Sequence, residues 1–559
     1  MSILGKTRLY AATVCQLKPS QVAYRLWRRL GGATPLSRMR SAHPVLDRAD
    51  ITRIPALAEL DFDPEFLGRF DVDALLEDRV ELLHHEMAVD WRESWHDGEA
   101  ATPLWRFNLH YCEYVLPLLR VTLETGDVRY FDKAKDIIDC WISANPLQRR
   151  GVGWDPYVIS MRVTNWLAFC GEARELLEDD PSFIGRMNVS LSEQYIFLAR
   201  HLEKDILANH YLENLKALVL LARYFDDEPM LRITLRALDR QIREQILPDG
   251  MHFELSPMYH KVMLESLLRV ASALDGMSLG GDVVSRCRLQ DMCDCLYSLE
   301  RKINRTPLFN DGGDNVAKSR DALLSCAASR FGVAPVFKDA LPDAGYFIIE
   351  RDVHGREVKA ICDGGQPGPC YAAGHVHCDM LSFEVFLDGE PWLVNSGTFA
   401  YQNESRLCYK RTLAHNAPCV EGEEQTQCWA SFRTGRMAEI LTASCHGGVF
   451  RAKMRDWRGN IISRCFQVTD DGVKIADEAN AVARIASAVH VSPSFQHSLG
   501  SQAASYRYSP EFGKEELAAC LYYEGHGSVV CEIPWPDASS GCLECQCEPN
   551  WIPDGSDEV

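Results

Sequence analysis

Along residues 75 to 330, apolar positions recur at three- and four-residue spacing, broken only by short polar links. The stretches "CEYVLPLLRVTLETGDVRYFDKAKDIIDCWISA", "RVTNWLAFCGEARELLEDD", "NHYLENLKALVLLARYFDDE" and "SPMYHKVMLESLLRVASALDGM" each predict amphipathic helix. From about residue 345 the period shortens, and "YFIIERD", "VKAICDGG", "LSFEVFLDGEPWLVNSG" and "GNIISRCFQVTDDGVKIADEA" predict strands. Asp388-Gly389, between "SFEVFL" and "EPWLV", predicts a tight hairpin, because a two-residue turn of that kind needs positive φ. A junction with Pro and Gly, "FGVAPVFKDALPDAGY", falls near residues 330 to 345. The expected organisation is a helical arm and irregular stretch over 1–74, a helical array over 75–335 and antiparallel β-structure over 345–559, with no fixed-period repeat.

Composition narrows the classes. A chain of 559 residues exceeds what one hydrophobic core supports, and 46% hydrophobic with 25% charged residues is ordinary for a soluble protein. No apolar run approaches the ~18 residues of a membrane helix, so no membrane insertion is expected. The balance of 59 basic against 79 acidic residues, a formal charge of -20, disfavours nucleic acid and anionic membranes as partners. An anionic ligand must then be met by local cations, for which Arg106, Arg162, Arg406 and Arg411 are the candidates. The N-terminus is basic, but its uncharged stretch from Leu9 to Gln16 is short and no small-residue cleavage pattern follows. This predicts a cytoplasmic protein, with the periplasm as alternative. The 21 scattered cysteines fit reduced thiols better than a disulfide framework. In "CLECQC", Cys542, Cys545 and Cys547 lack a second ligand pair at zinc spacing.

Three stretches carry candidate chemistry. On a helix, "NHYLEN" puts His210, Glu213, Asn214 and Ala217 on one stripe opposite Leu212, Leu215, Val219 and Ala222, with Asn209 as N-cap. The plainer alternative is a cap and a solvated face. In "DGMHFELSPMYHKV", Ser256 and Pro257 form an N-cap and first-position pair, so Tyr259 falls in the first helical turn. There the helix dipole favours a phenolate, as a general base requires; the alternative is an amphipathic packing residue. In "GHVHCD", His375 and His377 share a face if the segment is extended. His377, position 395 and His415 would form a His/carboxylate/His zinc set, except that position 395 is Asn395, a poor zinc ligand. A two-residue turn at 388–389 also pairs Asn395 with Ser382, on the face opposite His377, so convergence requires a bulge or loop near Cys378 and Asp379.

The ordered motifs "WRFNLHY", "GWDPYVISMRVTNW", "NHYLEN", "DGMHFELSPMYH", "FNDGGD", "GHVHCDMLSFEVFLDGEPWLVNSGT" and "YKRTLAHNAPCVEGEEQTQCWASFR" resemble the heparinase II/III-like polysaccharide lyases, a group that includes alginate and oligoalginate lyases, over roughly residues 100 to 450. The resemblance implies an α+β multidomain chain, an incomplete (α/α) toroid followed by an antiparallel β-sandwich, with a glycan cleft between them. It implies β-elimination at uronic acids, in which a base removes the C5 proton and the 4-linked oxygen leaves. Tyr259 would be the acid and, depending on uronate configuration, also the base. Asn209 and His210 would neutralise the carboxylate or assist proton abstraction, with Glu213 an acidic neighbour in the substrate-binding wall. His375 would be a cleft histidine from the β domain, and Tyr401 a second tyrosine touching substrate. His377, Asn395 and His415 fall on a triad that in relatives has a central aspartate and binds structural zinc. Asn395 departs from it, which leaves the metal absent, weak or completed by Asp379 or water. Arg106, Arg162 and Arg411 would meet uronate carboxylates, and Trp105, Trp154 and Trp166 would stack on sugars, the alternative being surface ion pairs and core aromatics.

The partner so implied is an acidic polysaccharide or oligosaccharide. Two other readings stand beside the lyase: a non-catalytic glycan-binding or assembly factor for capsule or O-antigen polysaccharide, and a toroid glycoside hydrolase pairing carboxylates from Glu213, Glu254, Asp311 or Asp314.

Overall fold

The computed structural model describes residues 3–30, 46–95, 102–147, 151–402, 405–480, 483–498 and 503–536. The Cys542, Cys545 and Cys547 cluster lies outside the described residues. Two helices, α1 (Ile3–Gln16) and α2 (Pro19–Arg29), form an arm. The helical half follows as α3 (Pro103–Tyr111), α4 (Val115–Thr125), α5 (Val128–Ala144), α6 (Pro156–Glu172), α7 (Pro181–Arg200), α8 (Ala208–Tyr224), α9 (Glu228–Gln245), α10 (Pro257–Leu274), α11 (Leu289–Glu300) and α12 (Arg320–Phe331).

Helix starts are encoded locally. Side chains of Asp127, Asp155, Asp180, Asp227, Ser256 and Ser319 accept first-turn N–H groups of α5, α6, α7, α9, α10 and α12, which satisfies donors that have no partner inside the helix. Pro156, Pro181 and Pro257 follow such caps, where a missing N–H costs nothing. At the centre, α8 packs on α6, α9 and α10. Its polar stripe is not a solvated face: Glu213 and Asn214 are buried as fully as Leu212 and Leu215.

The C-terminal half is two antiparallel sheets. The larger is formed by β1 (Ala340–Leu341), β2 (Tyr346–Val353), β3 (Arg356–Asp363), β4 (Phe383–Leu387), β5 (Glu390–Leu393), β6 (Pro418–Val420), β11 (Arg484–Val491), β12 (Ala504–Glu511) and β13 (Lys514–His526), in the order 12-13-11-5-4-3-2-1 with β6 paired to β11. The smaller is formed by β7 (Glu439–His446), β8 (Val449–Arg455), β9 (Ile461–Val468), β10 (Gly472–Ala479) and β14 (Ser528–Pro534), in the order 7-8-9-10-14. Between them Phe347, Phe383, Val385, Phe450, Phe466, Ile475 and Val489 form the sandwich core. The other face of the large sheet packs Tyr346, Ile348, Ile361 and Phe386 against Met251, Leu255 and Leu299 of the helical half. Both faces of β4 are therefore covered, which is why "FEVFL" reads as a continuous apolar run instead of alternating.

The β4–β5 hairpin turns at Asp388 and Gly389, both at positive φ (51° and 88°). The ladder begins Leu387↔Glu390 and Phe386↔Pro391, then slips to Val385↔Leu393. That bulge exchanges the faces of everything beyond it, so the strict alternation expected to separate Asn395 from His377 does not hold. The chain breaks twice: in this bulge at Val385 and Phe386, and in the expected loop near Cys378 and Asp379, where residues 376–382 form no strand and Leu381 stands at φ 62°. The cysteines of the described residues are all free thiols. No helix among the described residues is long and apolar enough to cross a membrane.

Candidate active site

A cavity of about 1070 Å³ lies between the two halves. The helical half contributes the N-terminal turns of α8 and α10, which carry Asn209, His210 and Tyr259. The sandwich contributes two loops, 364–382 with His375 and 394–417 with Tyr401. Behind this wall sits Asp311, on the connection from α11 to α12. Non-glycine residues at positive φ stand just before these groups: Leu207 (68°) and Ala208 (51°) before Asn209, Leu255 (56°) before Ser256, and Asn310 (54°) before Asp311. Each costs about 1–3 kcal/mol, which the surrounding packing offsets.

Ser256 fixes the tyrosine. Its hydroxyl donates to the Asp311 carbonyl (2.6 Å) and accepts the Tyr259 N–H (3.1 Å), so the start of α10 is tied to the Asp311 loop. The Tyr259 and Tyr401 hydroxyls are 2.7 Å apart, and the His375 ring lies 4.2 Å from the Tyr259 ring. His375 Nδ1 donates to Asp311 Oδ2 at 2.6 Å, which leaves Nε2 as an acceptor, 3.3 Å from Asn209 Nδ2. Asn209 Nδ2 also donates to Glu254 (2.9 Å), while its buried Oδ1 has no partner. His210 Nδ1 meets Glu203 Oε1 at 2.9 Å, and Asn214 holds Glu203 from the other side through Oδ1 to its N–H and Nδ2 to Oε2, each 2.9 Å. Asp311 is itself clamped by the Arg406 guanidinium, with Nη2 at 2.8 Å from Oδ2, and by His377 Nε2 at 2.8 Å from Oδ1.

Charge follows from these neighbours. Burial first, then the Tyr401 hydroxyl and the carboxylate of Asp311, push Tyr259 well above the ordinary tyrosine range. Tyr259 therefore rests as a phenol, and the phenolate expected from the helix dipole is overridden by desolvation. Burial opposes charge on His210, but Glu203 in direct contact, with Asp155 and Glu254 beyond it, outweighs burial and pushes it up to about 9. Burial would likewise neutralise Asp311, yet Arg406 and the two histidines hold it well below the usual carboxylate range.

Of the residues singled out in the sequence, Tyr259, Tyr401, His375, Asn209 and His210 converge on the cavity. Asn209 lies inside the first turn of α8, where its side chain bonds Glu254 instead of capping the helix. Glu213 borders the cavity but is fully buried, paired with Lys216 and bonded to Ser266. Arg162 is a core residue: its guanidinium lies 3.7 Å over Trp141 and donates to Gln194 and the Gly153 carbonyl, both at 2.8 Å. Trp154 and Trp166 pack on Trp141, and Trp105 donates to the His85 carbonyl (2.9 Å); all three belong to the toroid core, where helical periodicity puts large aromatics. Arg106 and Arg411 do not line the cavity, and Arg406 spends its charge on Asp311. Glu203, Asp311 and Arg406 were not assigned these positioning roles from sequence. "FNDGGD" marked the Asp311 loop, but nothing local marks Glu203. Of the carboxylates weighed for hydrolysis, Asp311 is held as described, Glu254 by Asn209, and Asp314 by Arg305 and the Thr306 N–H.

His377 Nδ1 and His415 Nε2 lie 3.2 Å apart, so two imidazoles do meet. Burial pushes His377 down to about 4 and His415 well below its ordinary range, which keeps both neutral. The third partner fails: Asn395 Oδ1 accepts the Asn416 N–H (3.2 Å), and its Nδ2 is a donor with no partner. Asp379 does not complete the set, because its carboxylate accepts the Asn310 N–H at 2.6 Å. Among the described residues no three His, Cys, Asp or Glu side chains converge as metal ligands. Two neutral rings and an amide, with the Arg406 guanidinium 3.3 Å from His377 Nε2, do not fit zinc, which needs an anionic donor here to offset its charge. Dialysis against a chelator is expected to leave melting temperature and activity unchanged. Stoichiometric zinc in the purified protein, or a fall in melting temperature with chelator, would contradict this.

A helical toroid joined to a β-sandwich, with tyrosine, histidine and asparagine converging between them, defines a toroid-plus-sandwich protein with a cleft at the domain junction. The chain belongs to the heparinase II/III-like family: the family model "Heparinase II/III N-terminus" matches residues 71–337 and "Heparinase II/III-like, C-terminal" matches residues 337–530. It is 24% identical over 379 residues to the heparin-sulfate lyase of Pedobacter heparinus, covering 60% of this chain and 55% of that one. To the heparin-sulfate lyase of Bacteroides thetaiotaomicron it is 22% identical over 394 residues, covering 62% and 56%. The chain thus spans about half the length of the curated relatives it matches. Among solved structures, heparinase III shares the fold with a TM-score of 0.62 at 13% identity over 94% of both chains. Heparan sulfate lyase HepC from Pedobacter heparinus gives 0.52 at 17% identity over 88% and 85%.

Proposed function

We propose that the protein is a polysaccharide lyase that cleaves uronic-acid-containing acidic glycans by β-elimination. The observation that carries this reading is the Tyr259–Tyr401 hydroxyl pair at 2.7 Å, set against the His375 ring in a cavity that also holds His210. Elimination needs a group to take the C5 proton, a group to give one to the departing O4, and charge to steady the carboxylate between them. His375 Nε2, kept an acceptor by the Nδ1–Asp311 bond, takes the proton. Tyr259, a phenol at rest, gives one to O4. His210, positively charged and 31% exposed toward the cleft, meets the uronate carboxylate. Asn209 Nδ2, bonded to Glu254 and 3.3 Å from His375 Nε2, positions that ring.

Incubation with heparan sulfate, chondroitin sulfate, alginate and polygalacturonate, followed by ultraviolet absorbance of the conjugated product, tests the reading. Appearance of the chromophore is the expected result; reducing ends without it would favour hydrolysis, and binding without either would favour the glycan-binding alternative.

The charge on His210 sets a pH dependence. Its folded pKa of about 9 lies above the ordinary ~6.5, so its stabilising pair with Glu203 is fully present below about pH 6.5 and lost as pH rises through 9. KM is expected to climb through the same upper window, and His210→Gln should remove that limb from the profile. A KM limb centred near pH 6.5 would contradict the assignment.

A further inference from the structure

The arm α1–α2 is absorbed by none of the chemistry above, yet it lines the same cavity through Thr13, Gln16, Gln21, Arg25, Arg28 and Arg29. On α2, positions 21, 25, 28 and 29 fall on one helical face. Gln21 anchors that face, at 1% exposed, while Arg25 and Arg29 stay exposed at the rim of the cavity and Arg28 is half-buried between them. Gln21 Nε2 donates to the Ile206 carbonyl (3.2 Å) on the helical half and to the Tyr371 carbonyl (3.1 Å) on the sandwich loop. Lys18 pairs with Glu244 of α9 and stands 3.8 Å over the Tyr371 ring, while the Tyr371 hydroxyl also bonds Glu244. On α1, Thr13 Oγ1 donates to the Thr434 carbonyl (2.7 Å) and accepts from Trp429 Nε1 (3.1 Å), Gln16 bonds the Gly435 carbonyl, and Tyr10 packs edge-on to Trp429 at 4.8 Å. The arm is thus fastened to both walls and bridges the cleft between them.

The arginines on that bridge are unequally used. Arg28 is spent on Asp205 Oδ1 at 2.6 Å. Arg25 reaches only the Asp205 carbonyl, at 3.4 Å, and Arg29 has no ion-pair partner among the described residues. Two cations facing a cavity in a chain of net charge -20 are an anion-binding surface. The cavity itself, about 1070 Å³, slightly exceeds the usual small-ligand pocket of about 300–1,000 Å³, which gives room for the end of an oligosaccharide beside the bridging arm.

We infer that the arm is the end wall of the cleft, that Arg25 and Arg29 hold the carboxylate or sulfate of the terminal sugar, and that the protein therefore works from a chain end. The identity of the ligand rests on the proposed lyase reading; the bridging of the two walls does not. The test uses the full chain and its Arg25→Ala/Arg29→Ala variant in two independent assays. The first is calorimetric titration with size-defined heparan sulfate, chondroitin sulfate and polygalacturonate tetrasaccharides, which needs no turnover. The variant is expected to bind about tenfold or more weakly, as for loss of charge-assisted hydrogen bonds. The second is cleavage of the parent polymers: the full chain should release the smallest unsaturated product from the first turnovers while viscosity falls slowly, and the variant should show raised KM with kcat unchanged. Unchanged affinity in the variant, or a ladder of intermediate lengths with rapid loss of viscosity from the full chain, overturns the inference. Binding weakened in the variant without any chromophore from the full chain supports the anionic end wall and overturns the lyase reading instead. A full chain that neither binds nor cleaves any of these probes overturns both.

Discussion

Tyr259→Phe is expected to lower kcat by about 10²–10⁴-fold, the usual contribution of a positioned acid, while the protein stays folded. Among the described residues the hydroxyl bonds only the Tyr401 hydroxyl, at 2.7 Å, whereas the ring is packed against His375 and the backbone N–H is held by Ser256. Removing one oxygen thus leaves the first turn of α10 in place and forfeits about 1 kcal/mol of stability. Circular dichroism and a melting curve close to those of the unaltered protein, with the chromophore gone, are the expected pair of results. Full activity in this variant would remove Tyr259 from the chemistry.

The second large effect is expected at Asp311. This carboxylate binds four partners: His375, His377, the Arg406 guanidinium and, more distantly, the Thr398 hydroxyl at 3.4 Å. Arg406 and Asp311 are both fully buried, so Asp311→Asn leaves a guanidinium in the protein interior without its counter-ion. A loss of about 3–5 kcal/mol is expected on that account, read as a lowered denaturant midpoint. Activity should fall as well, because the amide no longer takes the Nδ1 proton in a charge-assisted bond and His375 Nε2 is no longer fixed as the acceptor. A double change, Asp311→Asn with Arg406→Met, separates the two roles. It should regain much of the stability, since no buried charge is left unpaired, but not the activity. Recovery of both would reduce Asp311 to a structural counter-ion.

The difference between these two residues also shows what the sequence could reveal. Tyr259 was legible because its placement is local: Ser256 caps, Pro257 opens the helix, and the third residue lands in the first turn. Its protonation state was not, because the burial that chiefly sets it, and then Tyr401 and Asp311, come from elsewhere in the chain, Tyr401 from 142 residues away. Asp311 and Arg406 are 95 residues apart and Asn209 and His375 are 166 apart, and no periodicity records such meetings. For the tryptophans the core-aromatic alternative holds, whereas Arg162 is neither a cleft cation nor a surface ion pair, for a related reason. An arginine stacked on Trp141 and satisfied by backbone carbonyls has the same sequence signature as one waiting for a carboxylate. The zinc question turned on one side chain, Asn395, that could be read directly, whereas the bulge at Val385 and Phe386 that breaks the expected alternation could not.

The central claim is that the glycosidic bond is broken by elimination in this cleft, with no water entering the product. Mass spectrometry of oligosaccharide products formed in heavy-oxygen water tests it most directly. Elimination predicts two fragments, one of them unsaturated, whose masses sum to that of the substrate, with no heavy oxygen beyond the slow exchange at a free reducing end. Heavy oxygen at a newly formed sugar terminus, with no unsaturated partner, would contradict the account.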